Sequence, residues 1–205
     1  MHIAITGNIG AGKTTLAKML SNHYKWDVLY EAVEGNPNLA DFYKDMKRWS
    51  FNLQIFFLNS RFAQAQKIRS MHYQTVVQDR TIYEDAFVFA KNLEDSDLME
   101  KRDYQNYLML YRSMVNTVKA PDLIVYLKAD LPKLRRQIQK RGRDFEQSIS
   151  DEYLSNLNHL YEDLAHKYLD GNMLVIDVNE LDFEANPADF DFIVGKLNEV
   201  LVGYR

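Results

Sequence analysis

Met1-His-Ile-Ala-Ile-Thr-Gly-Asn-Ile-Gly-Ala-Gly-Lys-Thr-Thr15 is the stretch on which the fold turns. The β-branched run Ile3 to Thr6 passes into Gly7-x-x-x-x-Gly12-Lys13-Thr14, and a helical pattern begins at Leu16. Strand, glycine turn and helix in that order are the context that makes this spacing a phosphate-binding loop. Its glycines let backbone N–H groups close around a phosphate, and the following helix turns its positive dipole end toward the anion. The expected cradle is Gly7, Asn8, Ile9, Gly10, Ala11, Gly12, Lys13, Thr14 and Thr15. Lys13 is expected on the outer phosphates and the Thr14 hydroxyl on Mg²⁺. The implied ligand is a nucleoside triphosphate.

The rest of the chain is bounded by composition. A length of 205 residues suits one α/β domain over 1–205. The net charge of −4, with both signs interspersed, gives no basic footprint for a nucleic-acid partner. No apolar run is long enough for a bilayer, and the first residues read as a core strand instead of a secretion signal. With no cysteine, disulfides and thiolate metal sites are excluded, which fits a cytoplasmic protein. The histidines His2, His23, His72, His159 and His166 are scattered without metal-ligand spacing, and His159 and His166 read as surface residues. Thirteen tyrosines and eleven phenylalanines are many for this length; most read as core, and some are expected to line a pocket for a flat ligand.

Beyond the first helix (Leu16 to Tyr24), strand and helix alternate. Strands are expected at Asp27–Tyr30, Thr75–Gln78, Leu123–Leu127 and Met173–Asp177. Helices are expected at Leu39–Lys47, Trp49–Met71, Tyr83–Leu93, Met99–Val118, Leu131–Lys140, Asp151–Leu169 and Asp189–Leu201. Five β runs separated by helices predict a three-layer α/β fold, a five-stranded parallel sheet flanked by helices. Ligands of such a sheet bind beyond the carboxyl ends of its strands. Polar residues stand at those ends: Glu31 after the second strand, Asp79-Arg80-Thr81 after the third, and Arg141-Gly-Arg143 after a later helix. Phosphoryl transfer needs positioning, Mg²⁺, cations against the transferring group and an acceptor for a proton. Lys13, Arg80, Arg141 and Arg143 could supply the cations, Asp79 the metal contact and Glu31 the base.

Several longer blocks carry a resemblance. Asp79-Arg-Thr-Ile-Tyr-Glu-Asp-Ala-Phe-Val-Phe89 is similar to the Asp/Glu-Arg-Ser motif of the deoxyribonucleoside kinases. Tyr43 to Gln54, continuing to Asn59-Ser-Arg61, resembles the segment that builds their nucleoside pocket. Arg141-Gly-Arg-Asp-Phe-Glu-Gln147 resembles their short arginine-bearing lid. With the phosphate loop and Glu31-Ala-Val33, these blocks run in family order over nearly the whole chain, and the compact length looks like the bacterial deoxyadenosine kinase branch.

The resemblance implies roles residue by residue. Glu31 matches the general base on the 5′-hydroxyl, although the usual Glu-Pro-Val is here Glu-Ala-Val. Arg80 matches the arginine that orients that base and the phosphate, and Asp79 the acid near Mg²⁺. Gln54, Arg61 and Asp85 match the residues that read the base edge, where an amide and an Arg–Asp pair offer donors and acceptors side by side. Phe89 would stack on the base, and Tyr43 and Glu146 would hold the sugar 3′-hydroxyl. Thr81 stands where serine is common. Phe183 occupies the position that contacts the adenine of ATP. Taken alone, Gln54 and Arg61, seven apart, read as one helix face, and the aromatic residues read as core.

The activity implied is ATP-dependent 5′-phosphorylation of a deoxyribonucleoside in nucleotide salvage, with deoxyadenosine favoured and deoxyguanosine and deoxycytidine as further substrates. A nucleoside monophosphate kinase and a silent nucleotide-binding subunit remain as alternatives; a GTPase does not, since no Asn-Lys-x-Asp occurs. Helices 49–71 and 99–118 carry more apolar residues than one sheet face absorbs, which predicts a homodimer through them, as the resemblance also implies.

Overall fold

The computed structural model describes residues 1–31, 36–71, 74–168 and 172–202. Val33, Gly35, His72 and Leu169 of the sequence reading lie outside the described residues. Five strands, β1 (His2–Gly7), β2 (Asp27–Leu29), β3 (Val76–Asp79), β4 (Leu123–Lys128) and β5 (Asn172–Asp177), pair in the order β2-β3-β1-β4-β5. Every pairing is parallel. From β1 the chain visits β2 and β3 on one side of the sheet and β4 and β5 on the other. The phosphate loop after β1 therefore opens at the point where the strand order reverses, the usual ligand crevice of such sheets.

The helices are α1 (Lys13–Tyr24), α2 (Leu39–Lys44), α3 (Met46–Ser70), α4 (Ile82–Glu84), α5 (Lys91–Asp95), α6 (Lys101–Val115), α7 (Leu131–Arg141), α8 (Asp151–Lys167) and α9 (Pro187–Leu201). Side chains alternate across β4: Leu123, Val125 and Leu127 join the core under α1 and α9, while Tyr126 faces the opposite core beside Leu154 and Leu157 of α8. A third cluster, around Leu58, Tyr83 and Tyr107, joins α3, α4 and α6. Each fully buried Leu or Ile in these clusters contributes roughly 1.5–3 kcal/mol. No helix among the described residues is long and apolar enough to cross a membrane.

Several boundaries differ from the sequence reading. The expected helix 39–47 stops at Lys44, because Asp45 turns to cap α3 and accepts from the Arg48 amide at 3.0 Å. That starts the long helix at Met46, three residues before Trp49. Between α4 and α5 the expected regular helix widens into a π segment, Asp85–Ala90, a distortion that often marks functional sites. Helix α6 ends at Val115, short of Val118.

Candidate active site

The phosphate loop builds one end of a cleft of about 720 Å³, within the range of small-molecule sites. Helix α1 starts at Lys13 with no side-chain cap from Gly12, so its first-turn amides retain their hydrogen-bonding capacity beside the cleft. Gly12 has φ 93° and packs so tightly that an added Cβ would come within 2.8 Å of Phe183 Cζ. Lys13 is buried, with Nζ donating to the Asn8 carbonyl at 2.8 Å. Burial, with the like charge of Arg80, pulls the Lys13 ammonium down to about 7 against the carboxylates nearby. The Asn8 side chain points away from the cleft, into α8: Nδ2 donates to Leu154 O at 2.8 Å and to Asn158 Oδ1 at 2.7 Å.

Thr14 Oγ1 donates to Asp79 Oδ2 at 2.5 Å, and the buried Asp79 Oδ1 has no partner among the described residues. Register explains the meeting: Asp79 ends β3 opposite Ile5, two residues before the loop begins. A hydroxyl and a carboxylate are hard oxygen donors. Mg²⁺ commonly takes only one or two ligands from protein and the rest from phosphate and water. The pair fits that ion, and no group of three or more His, Cys, Asp or Glu side chains suited to holding a metal occurs among the described residues.

Glu31 lines the cleft between two arginines. Arg61 Nη2 donates to Oε1 at 2.8 Å, and Arg80 Nε donates to Oε2 at 3.0 Å. Burial pushes the Glu31 carboxyl upward, but Arg80, Arg61 and Lys13 outweigh it and hold the group well below the usual carboxylate range. Arg80 has the left-handed φ of 71°, uncommon for a side chain other than glycine, and its amide donates to Ile5 O at 2.9 Å. Its guanidinium lies over the Phe89 ring at 4.4 Å.

Gln54, Asp85 and Phe89 line the same cleft from α3 and the π segment. Arg61 does not reach the wall. It is fully buried behind Glu31 and Asp85, with Nε 3.5 Å from Asp85 Oδ2. Gln54 Oε1, Arg61 Nη1 and Asp85 Oδ2 are buried without hydrogen-bond partners among the described residues. An unsatisfied buried polar atom costs about 1–3 kcal/mol, so Gln54 Oε1, on a residue that lines the cleft, favours a ligand with a polar edge, while Arg61 Nη1 stays behind the wall. Burial drives the Asp85 carboxyl up to about 7 despite the pull of Arg61.

Tyr43 and Glu146 also line the cleft, as do both lid arginines. Glu146 Oε2 accepts from Arg141 Nε at 3.0 Å and from its Nη2, and Oε1 accepts from Arg143 Nη1 at 3.3 Å. Burial, with Tyr153 and Glu146 nearby, raises the Tyr43 phenol and keeps it a donor. Its ring stacks on Phe145 at 5.3 Å.

The structure thus brings Ile9, Gly10, Gly12, Lys13, Thr14, Thr15, Glu31, Tyr43, Gln54, Asp79, Arg80, Asp85, Phe89, Arg141, Arg143 and Glu146 to one cleft. Gly7, Asn8 and Ala11 shape the loop from behind. Phe183 is buried beneath Gly12, and its neighbour Glu184 faces the cleft instead. Tyr153 and Phe145 were missed as lining residues. A Tyr or Phe at helical spacing carries no signal that separates cleft from core.

The chain matches the deoxynucleoside kinase family model over residues 3–202. It is 48% identical over 162 residues to a deoxyadenosine kinase of Dictyostelium discoideum, a match spanning 79% of this chain and 65% of that protein. It is 40% identical to a deoxyadenosine/deoxycytidine kinase of Bacillus subtilis, over 78% of this chain and 74% of that one. A solved deoxyadenosine kinase from M. mycoides, with dCMP and a flexible dCDP bound, superimposes with a TM-score of 0.84 at 33% identity. That superposition covers 98% of this chain and all of the other. A structure of the M. mycoides enzyme with bound dATP gives the same TM-score. With its parallel sheet, phosphate loop and cleft, this chain belongs to the deoxynucleoside kinase family.

Proposed function

We propose that this chain transfers the γ-phosphoryl group of ATP to the 5′-hydroxyl of a deoxyribonucleoside in nucleotide salvage, with deoxyadenosine as the preferred acceptor. The observation that carries the reading is the Glu31 carboxylate, held by Arg61 and Arg80 in a cleft whose other end is the phosphate loop. Relatives named as a deoxyadenosine kinase and a deoxyadenosine/deoxycytidine kinase support the choice of acceptor. A relative named as a deoxyguanosine kinase, 42% identical over 164 residues, supports deoxyguanosine beside deoxycytidine as a further substrate.

In this reading the phosphate loop and Lys13 hold the donor phosphates, and Arg80, Arg141 and Arg143 offset charge on the transferring group. Thr14 and Asp79 would hold Mg²⁺, which when bound supplies charge neutralisation on the phosphates. Gln54 and Asp85 orient the base, with Arg61 bearing on it only through Asp85; Phe89 stacks on it, and Tyr43 and Glu146 hold the 3′-hydroxyl. The 5′-oxygen forms its bond to the γ-phosphorus, the bond to the β-phosphate oxygen breaks, and the 5′-proton passes to Glu31. Its depressed pKa makes Glu31 a weak base. A loose transition state places little demand on the nucleophile, so late proton transfer to a well-placed carboxylate suffices.

A nucleoside monophosphate acceptor fits less well, since its phosphate would meet the carboxylate of Glu31. A silent binding subunit is disfavoured by the assembled set Lys13, Thr14, Glu31, Asp79 and Arg80. The test is ADP release from Mg²⁺-ATP with deoxyadenosine, deoxyguanosine, deoxycytidine, thymidine and deoxyadenosine monophosphate in parallel. Turnover on nucleosides but not on the monophosphate is expected; turnover on the monophosphate alone would overturn the reading.

We further propose a homodimer through α3 and α6. Met109 and Leu110 of α6 are exposed, as is Phe87, whose ring packs on Tyr111 of α6, and a second copy would cover them. Sedimentation should give twice the chain mass at micromolar concentration.

A further inference from the structure

Arg80 is gripped from behind by two residues that do not line the cleft. Its Nη1 donates to the Tyr161 hydroxyl at 3.1 Å and lies 3.4 Å from Glu84 Oε2. The Tyr161 hydroxyl in turn donates to Glu84 Oε2 at 2.5 Å. Glu84 and Tyr161 are 0% and 1% exposed. We propose that Glu84 and Tyr161 are positioning residues for phosphoryl transfer, a buried pair that fixes the Arg80 guanidinium against Glu31. The proposal rests on the reading of Glu31 as the base.

Three observations support it. First, the two oxygens of Glu84 have separate tasks. Oε1 accepts from the Thr81 amide at 2.7 Å and, with the Thr81 hydroxyl, completes a capping box at the start of α4. Oε2 is left for Arg80 and Tyr161. A surface glutamate could close the box, whereas a fully buried carboxylate is costly unless it pairs with charge. Second, Arg80 sits between two carboxylates, with Nε on Glu31 and Nη1 toward Glu84. The Tyr161 O–H bond satisfies part of Glu84 Oε2 and so limits its pull on the guanidinium. Third, Tyr161 is itself rigid. Its ring stacks on Tyr126 with centroids 5.7 Å apart and planes at 14°. Helix α8, which carries it, is also fixed to the phosphate loop through Asn158 and Asn8, three residues away on the same face. One helix thus sets both the donor end and the arginine that faces the acceptor.

The test is steady-state kinetics of Tyr161→Phe and Glu84→Gln on the full chain, with melting temperatures, in wild-type and Arg80→Ala backgrounds. Tyr161→Phe keeps the stacked ring, and Glu84→Gln keeps an oxygen for the Thr81 amide. In the wild-type background each should lower kcat by on the order of 10- to 100-fold, the scale of a small misplacement of a catalytic group. KM for nucleoside and for ATP should stay within about twofold, since neither residue touches either ligand. In the Arg80→Ala background neither substitution should lower kcat further. Wild-type kcat, a change in KM alone, or full additivity with Arg80→Ala would overturn the proposal. So would failure of both variants to fold, which would assign the pair to stability. Wild-type protein without nucleoside turnover would instead overturn the reading of the site on which this rests.

Discussion

Arg61 Nη2 bonds Glu31 Oε1 at 2.8 Å from a position wholly beneath the cleft wall. The same guanidinium lies 3.5 Å from Asp85, so one buried cation joins the carboxylate assigned to the base edge with the carboxylate assigned to the hydroxyl. A residue that only read the base would affect binding alone. Arg61→Ala should therefore lower kcat by about 10²-fold as well as raising nucleoside KM, because it leaves Glu31 with one arginine and Asp85 with none. Arg61→Lys should recover only part of the loss, since an ammonium does not span both carboxylates as the planar fork does. Steady-state kinetics of the two variants check this; unchanged kcat in Arg61→Ala would contradict it.

Asp85 predicts a pH dependence with a definite sign. With its carboxyl near 7, the free enzyme carries Asp85 largely as the neutral acid below that pH. A base that donates an N–H to Asp85 needs the carboxylate, so binding must include the cost of ionising it. Nucleoside KM should rise by up to about tenfold per pH unit below 7 and level off above it. Glu31, held in its charged form over the same range, adds no slope of its own, and Lys13, also near 7, acts on the donor phosphates and not on nucleoside KM. Asp85→Asn should abolish the slope in KM.

The metal assignment makes the Mg²⁺ requirement sensitive to two side chains. Asp79→Asn and Thr14→Val should each raise the Mg²⁺ concentration for half-maximal rate by about tenfold or more, while excess chelator stops the wild type. Titration of activity against free Mg²⁺ at saturating ATP reads this directly.

Two glycines should differ in what they tolerate. A Cβ at Gly7 would lie 2.7 Å from the Leu127 carbonyl oxygen, on the backbone of β4, which has no room to move. At Gly12 the opposing atom is the tip of Phe183, a ring that can shift. Both have positive φ, at 145° and 93°. Gly7→Ala should lower stability by about 2–4 kcal/mol and Gly12→Ala by about 1–3 kcal/mol, with Phe183→Leu easing only the second. Denaturant melts of Gly7→Ala and Gly12→Ala, each with and without Phe183→Leu, give the ordering.

The five-stranded sheet, its parallel pairing and most of the cleft were legible in the sequence because strand ends are local and polar, whereas the strand order was not. Asp79, Arg80 and Glu31 stand out as charged residues placed directly at the ends of β runs. Arg61 was expected at the base edge, but its contact with Glu31 depends on where α3 passes the end of β2, which periodicity does not encode. The π segment was invisible for a related reason: Asp85–Ala90 has ordinary helical composition, and its widening is a tertiary effect. Phe183, expected at the adenine of ATP, is buried with its ring against Gly12, and only its neighbour Glu184 lines the cleft. Glu84 and Tyr161 carried no signal, one inside a motif read for its neighbours and the other on an amphipathic helix where tyrosine reads as core.

The central claim is that Glu31, clamped by Arg61 and Arg80, takes the 5′-proton. Single-turnover formation of deoxyadenosine monophosphate by Glu31→Gln, with deoxyadenosine affinity measured alongside, tests it most directly. The account predicts a rate lower by about 10²–10⁴-fold with affinity changed by no more than a few-fold. A variant that forms product at a near-normal rate would remove Glu31 from the chemistry and leave the two arginines holding a carboxylate for structure alone.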